Sequence, residues 1–196
     1  MEVDAKELLQ CFVRGDPPKV GIEQIIRLYG DSLFGYLMKM SGDRETAEDY
    51  FQETFSRVCE KAGTFRGGNL RAWIFRIATN IVMDGFRKEK RQPMLRLSQI
   101  QDCDGESQIE IAQTKEISDP SEDAQRQEEI QTVQRIIEEL PAGQRTILVL
   151  SFYSAAGGLS YAEIAEVLNC SIGTVKTQMY RALKKLADKL PDRDKF

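Results

Sequence analysis

The sequence predicts an all-α protein of two small helical domains, residues 1–92 and 130–196, joined by a flexible acidic linker over residues 93–129. Three observations predict it. Apolar residues on both sides of the linker recur at three- and four-residue steps, the spacing of helices that bury one face. A helix-start signal of the S-x-x-E kind, Ser160 with Glu163, opens the C-terminal helices. Between the two sets, residues 93–129 hold ten acidic residues, three basic ones and no aromatics. Such a composition buries too little apolar surface to offset the entropy of the chain.

The first helix follows from Ile22, Ile25, Ile26, Tyr29, Leu33, Tyr36, Leu37 and Met40, which form one core-facing stripe. Ser41-Gly42-Asp43 breaks it, and Ala47, Phe51, Phe55, Val58 and Ala62 form a second stripe. The outer side of that second helix carries Glu45, Glu48, Asp49, Gln52, Glu53 and Glu60. Taken alone, this acidic face reads first as an ordinary solvated surface, the usual state of charge on a helix exterior, and second as a docking face.

Next comes the loop Gly63-Thr64-Phe65-Arg66-Gly67-Gly68-Asn69. Phe65, Arg66 and Asn69 offer stacking, charge and an amide close together, in a loop that is either a base-contacting element or a plain interhelical turn. The helix beginning near Leu70 gathers Leu70, Ile74, Ile77, Ala78 and Ile81 on one side. Arg76, Asn80, Asp84, Arg87 and Arg91 fall within about 80° of one another on a second side, at about 100° per residue. Trp73 projects near this polar stripe, either at the edge of the core or as a support for an unstacked base.

The C-terminal helices have the layout of a helix-turn-helix. Ile164, Ala165, Val167 and Leu168 form the apolar face of the first; Asn169-Cys170-Ser171 forms the break, with Ser171 able to cap the second. The second helix buries Val175, Met179, Ala182, Leu183 and Leu186, leaving Thr174, Lys176, Thr177, Gln178, Arg181, Lys184 and Lys185 outward. Residues 173–190 carry a net charge of +4, which suits a nucleic-acid groove.

Composition excludes several classes. The 196 residues include no histidine, and the four cysteines Cys11, Cys59, Cys103 and Cys170 form no C-x-x-C pair. Zinc fingers and His-based catalytic triads are therefore ruled out, and no metal or other cofactor is expected. No apolar run approaches the roughly 20 residues of a membrane span, so no membrane insertion is expected. The start MEVDAKELLQ lacks the basic and apolar parts of a signal peptide, so the expected location is the cytoplasm. The net charge of −4 hides an uneven distribution. Residues 66–91 carry +5 and residues 173–190 carry +4, so the remainder holds −13. Two cationic islands sit on an acidic chain.

The stretch AEDYFQETFSRVCEKAGTFRGGNLRAWIFRIATNIVMDGFRKEKR resembles region 2, and LPAGQRTILVLSFYSAAGGLSYAEIAEVLNCSIGTVKTQMYRALKKL resembles region 4, of bacterial sigma factors of the extracytoplasmic-function class. The resemblance implies a subunit of RNA polymerase that directs transcription initiation and performs no catalysis itself. It implies that Asp49, Gln52 and Glu53 dock on the clamp helices of the largest subunit of core RNA polymerase, while the flap of the second-largest subunit grips the C-terminal domain. On promoter DNA, Phe65, Arg66, Asn69, Arg76, Asn80, Asp84, Arg87, Lys88 and Arg91 would engage the minus-ten element and hold a flipped base. Ser171, Thr174, Lys176, Thr177, Gln178, Arg181, Lys184 and Lys185 would read the minus-thirty-five element in the major groove. An anti-sigma factor that covers both domains is implied as well. The run Ser154-Ala155-Ala156-Gly157-Gly158 lengthens the approach to the helix-turn-helix beyond the family pattern, and Gln178 and Leu183 stand where arginine is frequent.

Two other classes compete. A free-standing helix-turn-helix regulator would bind duplex operator DNA unaided, as a dimer; the acidic Asp49, Gln52 and Glu53 face and the long tether disfavour it. A nuclease with a DNA-binding domain would need clustered carboxylates or a histidine base, and the carboxylates here are dispersed.

Overall fold

The computed structural model describes residues 18–91, 132–152 and 158–190, and all regular structure among them is helical. The acidic linker, Cys11, Cys103 and Ser154 to Gly157 of the lengthened approach lie outside the described residues.

Three helices form the first unit: α1 (Pro18–Ser41), α2 (Arg44–Lys61) and α3 (Leu70–Arg91). Gly42, at φ +82°, makes the reversal between α1 and α2, a left-handed conformation that favours glycine. Asp43 then caps α2 by accepting a bond of 2.8 Å from the Thr46 N–H. Leu33, Leu37 and Met40 of α1, Val58 of α2, and Ile74, Phe75 and Val82 of α3 fill the core. Phe51 meets Phe34 edge-on at 5.8 Å and Phe55 at 4.8 Å, closing the α1–α2 side.

The second unit comprises α4 (132–138), α5 (Ala142–Phe152), α6 (Tyr161–Leu168) and α7 (Ile172–Lys189). Leu140, Ile147, Leu150, Ile164, Val175 and Met179 are buried together there. Lys189 near the end of α7 pairs with Glu139 just beyond α4.

Both units share one continuous buried core. α3 packs along α6, and α1 packs on α5. Neighbours on two sides explain why Ala72, Phe75 and Val82 of α3 are fully buried although they lie off its predicted apolar stripe. Two residues assigned to core stripes are exposed instead, Ile26 at 38% and Leu183 at 44%. Periodicity marks a helix face without saying where along it a neighbour lies, which accounts for Ile26. Leu183 sits roughly 70° round α7 from the line of Val175, Met179 and Ala182, at the rim of the contact.

α3 and α2 approach so closely that a Cβ at Gly85 would fall on the Tyr50 hydroxyl. Gly85→Ala, ordinarily favourable inside a helix, should here destabilise by about 1–3 kcal/mol through overpacking. Urea unfolding checks it, and Tyr50→Phe in the same chain should recover most of the loss.

Candidate nucleic-acid interface

The loop before α3 is ordered by its own sequence. A 3-10 turn over Ala62–Thr64 leads into Phe65, and Gly67 and Gly68 both take φ +100°. Asn69 caps α3, its Oδ1 accepting from the Ala72 N–H at 3.0 Å. Phe65 lies against Trp73 with ring centroids 5.3 Å apart, and both half-buried rings pack on the core. Trp73 is thus a core-edge residue here. Arg66 remains exposed.

Along α3, Asn80, Arg87 and Lys88 are exposed, and Arg87 pairs with Asp84 at 2.8 Å. Arg91 is the last helical residue, and its side chain lies outside the described residues. At the start of the same stripe, Asn69 and Arg76 are half-buried against α6. The Asn69 amide donates to Glu163 Oε1 at 2.9 Å. The Arg76 guanidinium donates through Nε and Nη2 to the Glu166 carbonyl, at 3.1 and 2.7 Å.

The helix-turn-helix is built as its residues dictate. Ser160 and Glu163 form the complete capping box, so the α6 start is fixed by reciprocal bonds. Asn169 ends α6 in the left-handed region at φ 50°, its N–H reaching back to α6 carbonyls, and Ser171 Oγ caps α7 by accepting from the Thr174 N–H at 3.0 Å. On α7, Thr174, Thr177, Arg181, Lys184 and Lys185 are exposed and lie on one side. Gln178 is half-buried, and its Oε1 accepts from the Gln144 amide at 3.3 Å. Lys176 is exposed but roughly 100° from Thr177, on the side of α7 that carries Ile172, Tyr180 and Leu183.

On α2, Asp49, Gln52 and Glu53 are exposed; Glu53 pairs with Arg57 at 2.5 Å. An exposed pair of this kind contributes little to stability, so the face keeps its acidic character at little cost. No group of acidic or thiol side chains suited to a metal ion occurs among the described residues. No helix among them is long and apolar enough to cross a membrane.

Comparison with known proteins bears on this arrangement. Residues 25–92 match the family model of sigma-70 region 2, and residues 130–186 match that of sigma-70 region 4. The chain belongs to the sigma-70 family, in its extracytoplasmic-function class. It is 30% identical to the extracytoplasmic-function sigma factor SigW of Bacillus subtilis over 98% of this chain and 100% of that protein. It is also 30% identical to the RNA polymerase sigma-H factor of Pseudomonas aeruginosa, over 90% of this chain and 89% of that one. A solved structure of the sigma factor RpoE in complex with the anti-sigma factor NepR, from Bartonella quintana, is 27% identical with a TM-score of 0.64, covering 87% of this chain and 98% of that chain. The function is therefore that of a sigma factor in transcription initiation.

Sequence reasoning about this sigma factor missed the role of Glu163. The capping-box signal was visible, but the residue's second oxygen reaches another domain, which no local pattern reveals. Burial pushes the Glu163 carboxyl up, yet bonds from the Ser160 N–H and hydroxyl and the Asn69 amide, with the charge of Arg71, outweigh it and hold its pKa below the ordinary value. A depressed carboxyl stabilises the fold above its unfolded pKa and loses that contribution as pH falls through the folded value. The difference in unfolding free energy between the native chain and Glu163→Gln should hold steady from neutral pH to about pH 5 and shrink below about pH 4. Denaturation measured across that range checks it.

Proposed function

We propose that this sigma factor joins core RNA polymerase through the acidic α2 face, Asp49, Gln52 and Glu53, against the clamp helices of the largest subunit. The flap of the second-largest subunit holds the C-terminal unit. The first unit then serves the minus-ten element through the loop residues Phe65, Arg66 and Asn69 and the α3 residues Arg76, Asn80, Asp84, Arg87, Lys88 and Arg91. The second serves the minus-thirty-five element through α7. Domain boundaries at residues 92 and 130 divide the chain accordingly. The polymerase supplies the chemistry, and the sigma factor is no enzyme itself. It works in the cytoplasm, with an anti-sigma factor as a further partner; the complex of the similar RpoE with NepR supports that partner class.

One observation carries this reading: a single chain holds both sigma regions in order, each with exposed basic side chains, Arg66, Arg87 and Lys88 in the first and Arg181, Lys184 and Lys185 in the second. The physics of initiation asks for both. Reading duplex DNA needs a rigid helix in the major groove, whereas opening it needs a surface that captures bases once they leave the stack. In this reading Thr174 and Thr177, near the capped start of α7, and Arg181, midway along it, meet base edges and phosphates, which their shared exposed side supports. Gln178 reaches an adenine edge once its bond to Gln144 is released.

Run-off transcription with purified core enzyme on a library of candidate promoters tests the assignment. Discrete start sites that depend on adding this protein are expected, and none on any template would overturn it. For the contact itself, Arg181→Ala should weaken promoter affinity at every salt concentration and reduce the salt slope by about 1. Titrations at several ionic strengths check both effects.

A further inference from the structure

Resting on the reading of α7 as the minus-thirty-five helix, we infer that Gln144 of α5 is a positioning residue for base recognition, holding the Gln178 amide so that it meets guanine in preference to adenine. Gln144 stands where a polar side chain is unusual. It lies three and four residues before Ile147 and Leu148 on one side of α5, and it is buried as they are. A buried amide costs stability unless hydrogen bonds offset its lost hydration. α5 packs on α7, and there the Gln144 Nε2 donates to Gln178 Oε1 at 3.3 Å. The Gln144 Oε1 is also buried and accepts from no donor among the described residues. An apolar side chain of similar size would avoid that unmatched oxygen. What Gln144 supplies in return is its hold on Gln178.

The direction of that bond decides what Gln178 offers to DNA. Turned the other way, Gln144 would bury its NH2 without an acceptor, and an orphaned N–H is rarer in folded proteins than an under-satisfied carbonyl oxygen. Gln178 therefore gives its oxygen to α5, and the NH2 of the same planar amide is the part left for a base. In the major groove guanine presents two acceptors, N7 and O6, whereas adenine presents one acceptor, N7, beside the N6 amino donor. An amide that offers donors alone suits guanine and sets a second donor against the adenine amino group. The bidentate adenine contact needs the Gln178 oxygen as well as its NH2, so it is reached by breaking the bond to Gln144. That step strands the buried Gln144 NH2, and an unmatched buried donor is the costly part of losing a hydrogen bond. A guanine contact leaves the pair intact. At 3.3 Å the bond is long for an N–H donor, so the pair biases the choice of base without locking it.

The test uses holoenzyme assembled from core RNA polymerase and each full-length chain: native, Gln144→Leu, Gln144→Met, Gln178→Ala, and Gln144→Leu combined with Gln178→Ala. Each holoenzyme selects from a promoter library randomised over the minus-thirty-five element, and the bound DNA is sequenced. Gln178→Ala identifies the base pair that Gln178 meets, as the position whose preference it abolishes. At that position the native chain should favour guanine over adenine. Both Gln144 variants should move the ratio toward adenine by about fivefold or more, the size of one bidentate base contact. Preferences at the other positions should hold, and the shift should vanish when Gln178 is also replaced. A merely structural role would instead weaken binding to all sequences alike. Circular dichroism confirms that each variant folds, and Gln144→Met serves should Gln144→Leu pack poorly. A native preference for adenine, no position altered by Gln178→Ala, an unchanged ratio in the Gln144 variants, or a shift that persists without Gln178 would each overturn the inference. Selection of no minus-thirty-five sequence at all by the native holoenzyme would strike the reading of α7 instead.

Discussion

α3 is the element on which the rest of the molecule depends, because helices from both units pack against it. Ala72, Ile74, Phe75, Ala78 and Val82 are wholly buried, so almost every side of the helix is committed to packing. Among its described side chains only Asn80, Arg87 and Lys88 are exposed. Both the core of the first unit and the candidate DNA surface are therefore built on one set of backbone bonds. A change that shifted the apolar side would move the polar side with it, because close-packed interiors transmit displacement.

Charge follows the same economy. A chain of net charge −4 places +5 on residues 66–91 and +4 on residues 173–190. Concentrating cations on two short segments attracts a polyanion locally, while acidic residues elsewhere, including the exposed α2 face, suit a different surface. A sigma factor must hold polymerase and DNA at once without confusing them. Segregating the two signs of charge onto different helix faces meets that demand.

Much of this was legible from residues alone. The α6 and α7 starts follow from Ser160 and Ser171, each of which caps as its side chain allows. The apolar periods of α1, α2 and α3 located the first core, since a three-to-four step has few other uses. What escaped was whatever depends on distant segments meeting. Phe75 and Val82 are buried by neighbours that no window of sequence contains. Leu183 and Ile26 satisfy the period yet lie where no helix covers them fully. In the candidate site, Thr174, Thr177 and Arg181 stand outward as their spacing dictates. Lys176 is turned to the Tyr180 side, and Gln178 is held by Gln144. The bonds of Asn69 and Arg76 to α6 span more than 90 and about 90 residues of chain, so only the assembled fold exposes them.

One chain that keeps its acidic and its basic side chains on different helix faces, to hold polymerase and promoter DNA together, is the claim that unites the packing, the charge and the proposed function. Amide hydrogen exchange across α2 and α3 tests it most directly, comparing the free chain with the polymerase complex before and after promoter DNA is added. The account predicts that α2 gains protection when polymerase binds and that α3 gains further protection once DNA is present. Unchanged exchange in α2 on polymerase binding, or in α3 on addition of DNA, would contradict it.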